Sequence, residues 1–425
     1  MIDAVLGSPL FVLGLILALG ALLGDVAERL RVPWITGCIV LGVALGPAAG
    51  DVLPTTRAAA LGGFTQAALA VIAFNIGSQL TLGRLKTIGG SVVLMAAAQL
   101  LAPVALVLAG ESLLGLALPA ALILAAVAPA TAPTTTYSVI RRREATGPFI
   151  DRALGVLALN DAAAVLIFSA VSAGVVAMLG AGAASGIGTA LWHAAANEAL
   201  SIAAGIALGL FYLAIRPIIE DGRPGWESRL TALLLGLVLL SIGGAIALQL
   251  SHLLLPLSLG IVVANGVDSV EQDFIRKHIK GFEEPLFFVF FVLAGAHLPV
   301  TAAGHLALLA SAVIYLACRF AGKYAGISLT ASALHLDQPT RRYLGLCFPS
   351  QGALAMGLIL ALRDSPAVRQ LPAGVSEPIE TAVSVILIAV LLSQLVGPAL
   401  IDLAVRRGTQ PSGSLPGSET SPSRR

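Results

Sequence analysis

The chain has 425 residues, of which 57% are hydrophobic and only 11% are charged, and its formal net charge is +2. Soluble domains carry about 25% charged residues, so this composition excludes a soluble globular protein and predicts a membrane protein. Because the small net charge is spread over many loops, a nucleic-acid surface is also excluded.

Apolar runs, most of them long enough to cross a bilayer, follow one another along the chain and are separated by short polar loops. A run of about 20 residues crosses a hydrocarbon core as an α-helix. The pattern predicts an all-α fold of about 13 transmembrane helices, with the second and ninth the shortest.

The distribution of lysine and arginine predicts the orientation of these spans. When the N-terminus is placed outside, most of the 25 basic residues fall in internal segments, and the external ones hold only Arg57, Arg363 and Arg369. Cytoplasmic loops carry such an excess. The protein is therefore predicted in the inner (plasma) membrane with its C-terminus in the cytoplasm. The Ser-, Pro- and Gly-rich tail, 408–425, is predicted to be disordered.

Prolines interrupt the fifth span at membrane depth. Pro129 and Pro133 each lack an amide donor, so they free backbone carbonyls that a helix would otherwise pair. Thr131, between them, adds a hydroxyl oxygen. The twelfth span has a similar interruption, formed by Pro349, Ser350, Gln351 and Gly352.

The sixth span carries Asp161, preceded by Asn160, in an otherwise uncharged stretch. An ionisable residue at the bilayer centre costs about 3 kcal/mol on insertion scales, so such residues are rare and usually face a protein interior or a water-filled cavity. Asp161 is predicted to be an ion or proton site, with Thr131, Asn160 and the freed carbonyls of the fifth span supplying further oxygens to the ion. The alternative is a structural carboxylate satisfied by a neighbouring helix.

The eleventh span carries two basic residues, Arg319 and Lys323. Lys323 is interpreted first as structural support for the site. Release of its own proton and snorkelling towards an interface remain alternatives. Arg319, one turn away, is assigned with Lys323 as supporting charge, and pairing with a lipid phosphate or with an acid is the alternative.

The interrupted spans, five and twelve, are seven spans apart and so cross the membrane in opposite directions. Interrupted helices at matching positions of two inverted halves indicate a transporter binding site near the midplane. Counted from the internal loops, Asp161, Thr131, Lys323 and Pro349 lie about 10 to 20 Å deep, so these residues can converge.

Four short motifs resemble the monovalent cation/proton antiporter superfamily. They are Asn160-Asp161, Thr131-Ala132-Pro133, the Gly322-Lys323 segment that continues to Gly326, and the aromatic run from Pro285 to Gly295. The resemblance implies two inverted six-helix repeats joined by a linker helix, and a homodimer. The repeats are placed at about 8–180 and 228–407, and the linker helix at about 187–217. The resemblance also makes Asp161 the ion-binding aspartate and Lys323 the basic residue of the facing helix.

The function predicted is secondary antiport of a monovalent cation, Na⁺ or Li⁺ before K⁺, against protons that compete for Asp161. Exchange would be electroneutral if only Asp161 titrates and electrogenic if Lys323 also releases a proton. A sodium-coupled organic-anion symporter on a related fold is the alternative. The sequence contains no filter-like repeat of the kind that indicates a channel. It also contains no nucleophile–base pair of the kind that indicates an enzyme.

Other polar residues are given secondary roles. Cys38, Cys318 and Cys347 have no paired spacing and the six histidines have no metal-ligand spacing, so no cofactor and no metal beyond the transported cation are predicted. Asn75 is expected to hydrogen-bond between helices. Glu198, with His193 and Asn197 near the external end of the seventh span, is interpreted as interfacial, with pH sensing as the alternative.

Overall fold

The computed structural model describes residues 8–30, 32–47, 49–50, 52–83, 89–180, 187–220, 225–296, 305–372 and 374–409. Within these ranges the regular structure is helical and contains no β-strand. Gly408, where the disordered tail was predicted to begin, still ends a helix. The rest of that prediction, from residue 410 onwards, falls outside the described residues.

The helices follow one another in an order that the apolar runs already outline. They are α1 (Pro9–Arg29), α2 (Trp34–Leu45), α3 (Thr55–Ala60), α4 (Gly62–Ser78), α5 (Gly90–Leu113), α6 (Leu118–Val127), α7 (Pro133–Arg142), α8 (Pro148–Gly180), α9 (Ile187–Ile219), α10 (Trp226–Ala247), α11 (Leu254–Gly266), α12 (Ser269–Ala296), α13 (His305–Ala333), α14 (Gln338–Tyr343), a 3-10 helix (Leu344–Cys347), α15 (Ala353–Arg363), α16 (Pro366–Arg369) and α17 (Glu377–Gly408).

Seven of the described helices are long and apolar enough to cross a bilayer: α1, α5, α8, α9, α10, α13 and α17. Four shorter apolar helices accompany them, namely α2, α6, α11 and α15. The predicted all-α membrane fold is confirmed. The total of thirteen spans stays a prediction, although α2 and α11 are short, as the sequence indicates for the second and ninth runs.

Helices α5 and α13 approach each other closely because α13 carries Gly322 and Gly326 four residues apart. A Cβ atom at Gly322 would lie 2.5 Å from the backbone of Pro103, and one at Gly326 would lie 2.6 Å from the carbonyl oxygen of Ala98. Small residues at this spacing allow two helix backbones to pack without intervening side chains. Lys323, next to Gly322, is thereby held against α5.

Two spans are each divided into half-helices. The first break separates α6, which ends at Val127, from α7, which begins at Pro133. The second separates the 3-10 helix, which ends at Cys347, from α15, which begins at Ala353. Pro133 starts a half-helix, a position where its missing N–H has no partner to lose and its fixed φ suits the helix.

One end of the bundle is rich in arginine, and we call it the basic face. There Arg143, just after α7, donates to the carboxylate of Asp402 in α17 at 2.8 and 2.9 Å. Arg152, in the first turns of α8, pairs with Asp337 at the start of α14. These two ion pairs connect four helix ends across the basic face.

Asp337 caps α14, and its removal is expected to destabilise the basic face. The carboxylate accepts hydrogen bonds from the Thr340 backbone N–H at 3.1 Å and from the Thr340 hydroxyl at 2.9 Å. Desolvation raises the pKa of Asp337, but the bonds from Thr340 and Arg152 outweigh it and hold that pKa below its ordinary value. Losing a cap typically costs about 1 kcal/mol, and the entropy of unfolding grows with chain length, so Asp337→Ala should lower the thermal unfolding midpoint by roughly 1–2 °C.

This stabilisation should depend on pH, with a sign set by the depressed pKa. It is fully present above the unfolded pKa of about 4 and is lost as the pH falls through the lower folded pKa. Thermal unfolding of wild type and Asp337→Ala at neutral and acid pH measures it. Asp25→Ala, which breaks an exposed 2.8 Å ion pair with Arg29, is the control. An equal fall of the unfolding midpoint in Asp337→Ala and Asp25→Ala would contradict the capping role of Asp337.

Candidate ion-binding site

The two helix breaks meet each other inside the bundle. The backbone N–H of Ala132, in the first break, donates to the carbonyl oxygen of Ser350, in the second, at 3.0 Å. The hydroxyl of Thr136 donates to the carbonyl of Cys347 at 2.8 Å. Each break therefore supplies partners for backbone groups that the other has released from helical pairing.

Arg319 of α13 is fully buried beside this crossing and binds carbonyls from both breaks. Its Nε donates to Ala128 at 2.9 Å and its Nη2 to Ala130 at 2.6 Å, while Nη1 donates to Pro349. The alternative, in which Arg319 pairs with a lipid phosphate or an acid, is wrong, because the guanidinium is buried against backbone carbonyls. The carbonyls at the C-terminal end of α6 have no partner within the helix and carry partial negative charge. They act as the counter-charge for the guanidinium that an anion would otherwise supply.

Asp161 of α8 lies at the first break and accepts two hydrogen bonds. The Thr131 hydroxyl donates to its Oδ1 at 2.9 Å, and the Asn160 amide donates to the same oxygen at 3.0 Å. Thr131 and Asn160 are buried, and Asp161 as a whole residue is partly buried. These two hydrogen bonds fix the position of the carboxylate.

Asn160 holds α8 against the broken helix. Besides Asp161, its Nδ2 contacts the Thr131 hydroxyl at 2.8 Å and the Pro129 carbonyl at 3.2 Å. One amide side chain therefore positions three oxygens of the site, from a hydroxyl, a carboxylate and a backbone carbonyl. Oxygens of these kinds replace part of the hydration shell of a cation in transport proteins.

Lys323 is buried and contacts neutral acceptors. Its Nζ donates to the Pro129 carbonyl at 2.7 Å and to Gln99 Oε1 at 2.8 Å. Although Asp161 and Lys323 are both described by the structure, no ion pair joins them. Gln99, in turn, donates through Nε2 to Asn160, so it connects the lysine to the residue that orients Asp161.

Gln99 is a site residue that the sequence reasoning missed. It is fully buried in α5, the helix against which α13 packs. A signal was available, because Gln99 is a lone amide inside the apolar fourth span, seven spans before Lys323. Its partners in α8 and α13, however, are set by helix packing and not by spacing along the chain.

The second break contributes backbone and polar groups, not a charged ligand. Gln351 Nε2 donates to the Tyr315 hydroxyl at 2.7 Å, and the Gln351 N–H donates to the Ser393 hydroxyl at 3.1 Å. Gly352 precedes the first residue of α15. Ser350 Oγ and Gln351 Oε1 are buried with no hydrogen-bond partner among the described residues, so this region keeps unpaired oxygens.

Two broken helices cross beside a carboxylate that hydrogen bonds hold in place, and buried cationic side chains support the crossing. This arrangement is typical of a secondary transporter for ions. Comparison with known proteins identifies the family of transporters. Residues 14–406 match the family described as "Sodium/hydrogen exchanger, transmembrane". The chain belongs to that family, an integral-membrane family of transporters whose general activity is cation/proton antiport.

A solved structure is similar in fold. The sodium proton antiporter MjNhaP1 from Methanocaldococcus jannaschii, determined at pH 8, superimposes with a TM-score of 0.71 over 94% of this chain and 98% of that chain. The two share 19% sequence identity, a level at which the likeness shows the fold alone. A search of the curated proteins finds no match to this sequence.

Proposed function

We propose that this protein exchanges a monovalent cation for protons at Asp161, with Na⁺ or Li⁺ preferred and K⁺ as a further candidate. The observation that carries the proposal is the carboxylate of Asp161 within an apolar span, held by Thr131 and Asn160 beside the freed carbonyls of the first break. A carboxylate binds a proton or a cation at the same oxygens, so the two compete. Membership of the sodium/hydrogen exchanger family supports this choice of substrates.

Coupling follows from the charge of the site. With a proton or a cation bound, the Asp161 side chain is neutral overall and its movement across the apolar barrier is cheap. Bare and charged, the carboxylate would have to move without a counter-ion, which is costly in a low-dielectric interior. We infer that the site changes its exposure between the two faces only when it is occupied, which links the two fluxes.

We further infer how the chain is organised for this movement. Two inverted repeats, about 8–180 and 228–407, flank a linker helix that corresponds to α9, and two copies of the chain form a homodimer. The basic face is cytoplasmic, the opposite face is outer, and the protein resides in the plasma membrane. The arginine content of the basic face supports this orientation.

Lys323 is assigned a positioning role. Both acceptors of its Nζ, Pro129 and Gln99, are neutral groups that fix the first break and the amide network around Asn160. This arrangement favours one titrating group, Asp161, and therefore exchange of one proton for one cation.

Luminal pH in proteoliposomes tests the proposal. Addition of Na⁺ or Li⁺ outside is expected to shift the luminal pH, with a smaller response to K⁺ and none in protein-free liposomes. One-for-one exchange should proceed at the same rate whether or not a membrane potential is imposed. No pH change with any of the three cations, from folded protein, would overturn antiport and favour a sodium-coupled organic-anion symporter.

A further inference from the structure

A cavity of about 380 Å³ lies at the end of the bundle opposite the basic face. Its walls come from the last third of α8, the first turns of α9, the end of α15 and the loop between α10 and α11. Three ionisable side chains line it: His193 and Glu198 of α9, and His252 of the loop.

Two of these side chains, His252 and Glu198, each have a buried polar atom with no hydrogen-bond partner among the described residues. His252 is 6% exposed, and its Nε2 is buried without a hydrogen bond among the described residues. Glu198 Oε2 is also buried without a hydrogen bond, and no ion pair joins Glu198 to a described basic residue. A buried polar atom left unpaired is costly, so a wall built for stability alone would satisfy both.

The neighbouring polar groups show that the wall itself is well bonded. Asn197 Nδ2 donates to the Gln249 carbonyl at 2.8 Å, and the Ser251 N–H donates to the Ser201 hydroxyl at 2.8 Å. These bonds attach the loop to α9 and keep His252 and Glu198 on the same cavity. Glu198, for which an interfacial position is predicted, thus shares this cavity with His252.

The cavity approaches the ion site along one helix. Ser169, which lines it, follows Asp161 on α8 by eight residues, a separation of about 12 Å at the rise of an α-helix. A small ion in the cavity is thus two helical turns from the carboxylate that is proposed to carry it.

We propose that this cavity is a second, outer site for a monovalent cation, with the Glu198 carboxylate as its charged ligand and His252 as a polar neighbour. The role of the cavity in delivering ions to Asp161 rests on the proposed function. Binding of a cation in the cavity is independent of that function and can be measured without transport.

The test uses a cysteine reporter inside the cavity. Ala173, half-buried in the α8 wall, is replaced by cysteine in full-length protein whose three native cysteines are changed to alanine, reconstituted in nanodiscs. The rates of modification by a cationic and an anionic methanethiosulfonate are compared. Glu198→Gln should lower the cationic-to-anionic rate ratio about threefold, the effect expected of one nearby charge. Sodium at constant ionic strength should slow the cationic reagent only when Glu198 is present.

A matched control removes a different outer carboxylate. Glu377, exposed in the first turn of α17, lies outside the cavity lining, and Glu377→Gln should leave both rates unchanged. An unchanged ratio in Glu198→Gln, an equal change in Glu377→Gln, or a ratio that changes without sodium protection would each overturn the site. Sodium protection in a protein that shows no exchange would uphold this site and overturn the proposed function instead.

Discussion

Asp161→Asn is expected to abolish cation-driven proton movement, down to the level of protein-free liposomes. The amide has nearly the same shape as the carboxylate, and its oxygen still accepts a hydrogen bond from Thr131. It carries no charge, however, so it takes up no proton at neutral pH and cannot neutralise a bound cation. Because the competing ions lose their shared ligand, both fluxes should disappear together. Luminal pH after addition of Na⁺, Li⁺ or K⁺ measures the effect.

The control for this variant lies on the same helix. Asp151 is exposed in the first turn of α8, so Asp151→Asn removes one carboxylate without touching the site and should exchange at the wild-type rate. Both variants should unfold at temperatures close to that of wild type. Exchange that persists in Asp161→Asn would place the ion-binding carboxylate elsewhere in the chain.

Arg319→Ala is expected to cause the largest loss of stability of any single change considered. The guanidinium joins carbonyls of both breaks, and its removal leaves Ala128, Ala130 and Pro349 without these donors in a buried region. Unsatisfied buried groups cost about 1–3 kcal/mol each, and a total of about 3–5 kcal/mol is a large part of the stability of a typical domain. The thermal unfolding midpoint should fall steeply and exchange should be lost.

Two further arginine variants separate the loss of the carbonyl contacts from the loss of a positive charge and from the loss of any arginine. Arg319→Lys keeps the charge but lacks the planar fork that reaches three carbonyls, so it should recover only part of the lost stability. Arg363→Ala breaks a partly exposed pair with Glu380 at 3.2 Å, worth about 0–1 kcal/mol, and should leave the midpoint nearly unchanged. If Arg319→Ala unfolds at the same temperature as Arg363→Ala, the guanidinium does not hold the crossing together.

Several features of the fold followed from local properties of the sequence. The apolar runs predict a membrane protein because the hydrocarbon thickness sets the length of a spanning helix. The breaks follow from Pro129 and Pro349, since a missing amide donor acts wherever the proline lies. Asp161 was singled out for a similarly local reason, the cost of a charge in an apolar span. None of these inferences needs to know which helix packs on which.

The contacts around Asp161 could not be obtained in that way. Arg319 binds the Ala128 carbonyl across 191 residues of sequence, and Lys323 binds Gln99 across 224. The carbonyl partners of Arg319 and the contacts of Gln99 are not predictable from the sequence, because nothing near either residue in the chain indicates its partner. The close approach of α5 and α13 brings Gln99 to Lys323, and the crossing of the breaks presents carbonyls to Arg319.

The sequence by itself determined the apolar helices, the positions of both breaks and the one carboxylate within the sixth span, because composition and proline act locally. Only the tertiary structure decided which groups surround that carboxylate, and that Glu198 and His252 line one cavity. Those outcomes depend on how the helices pack, and packing joins residues that are far apart in the chain.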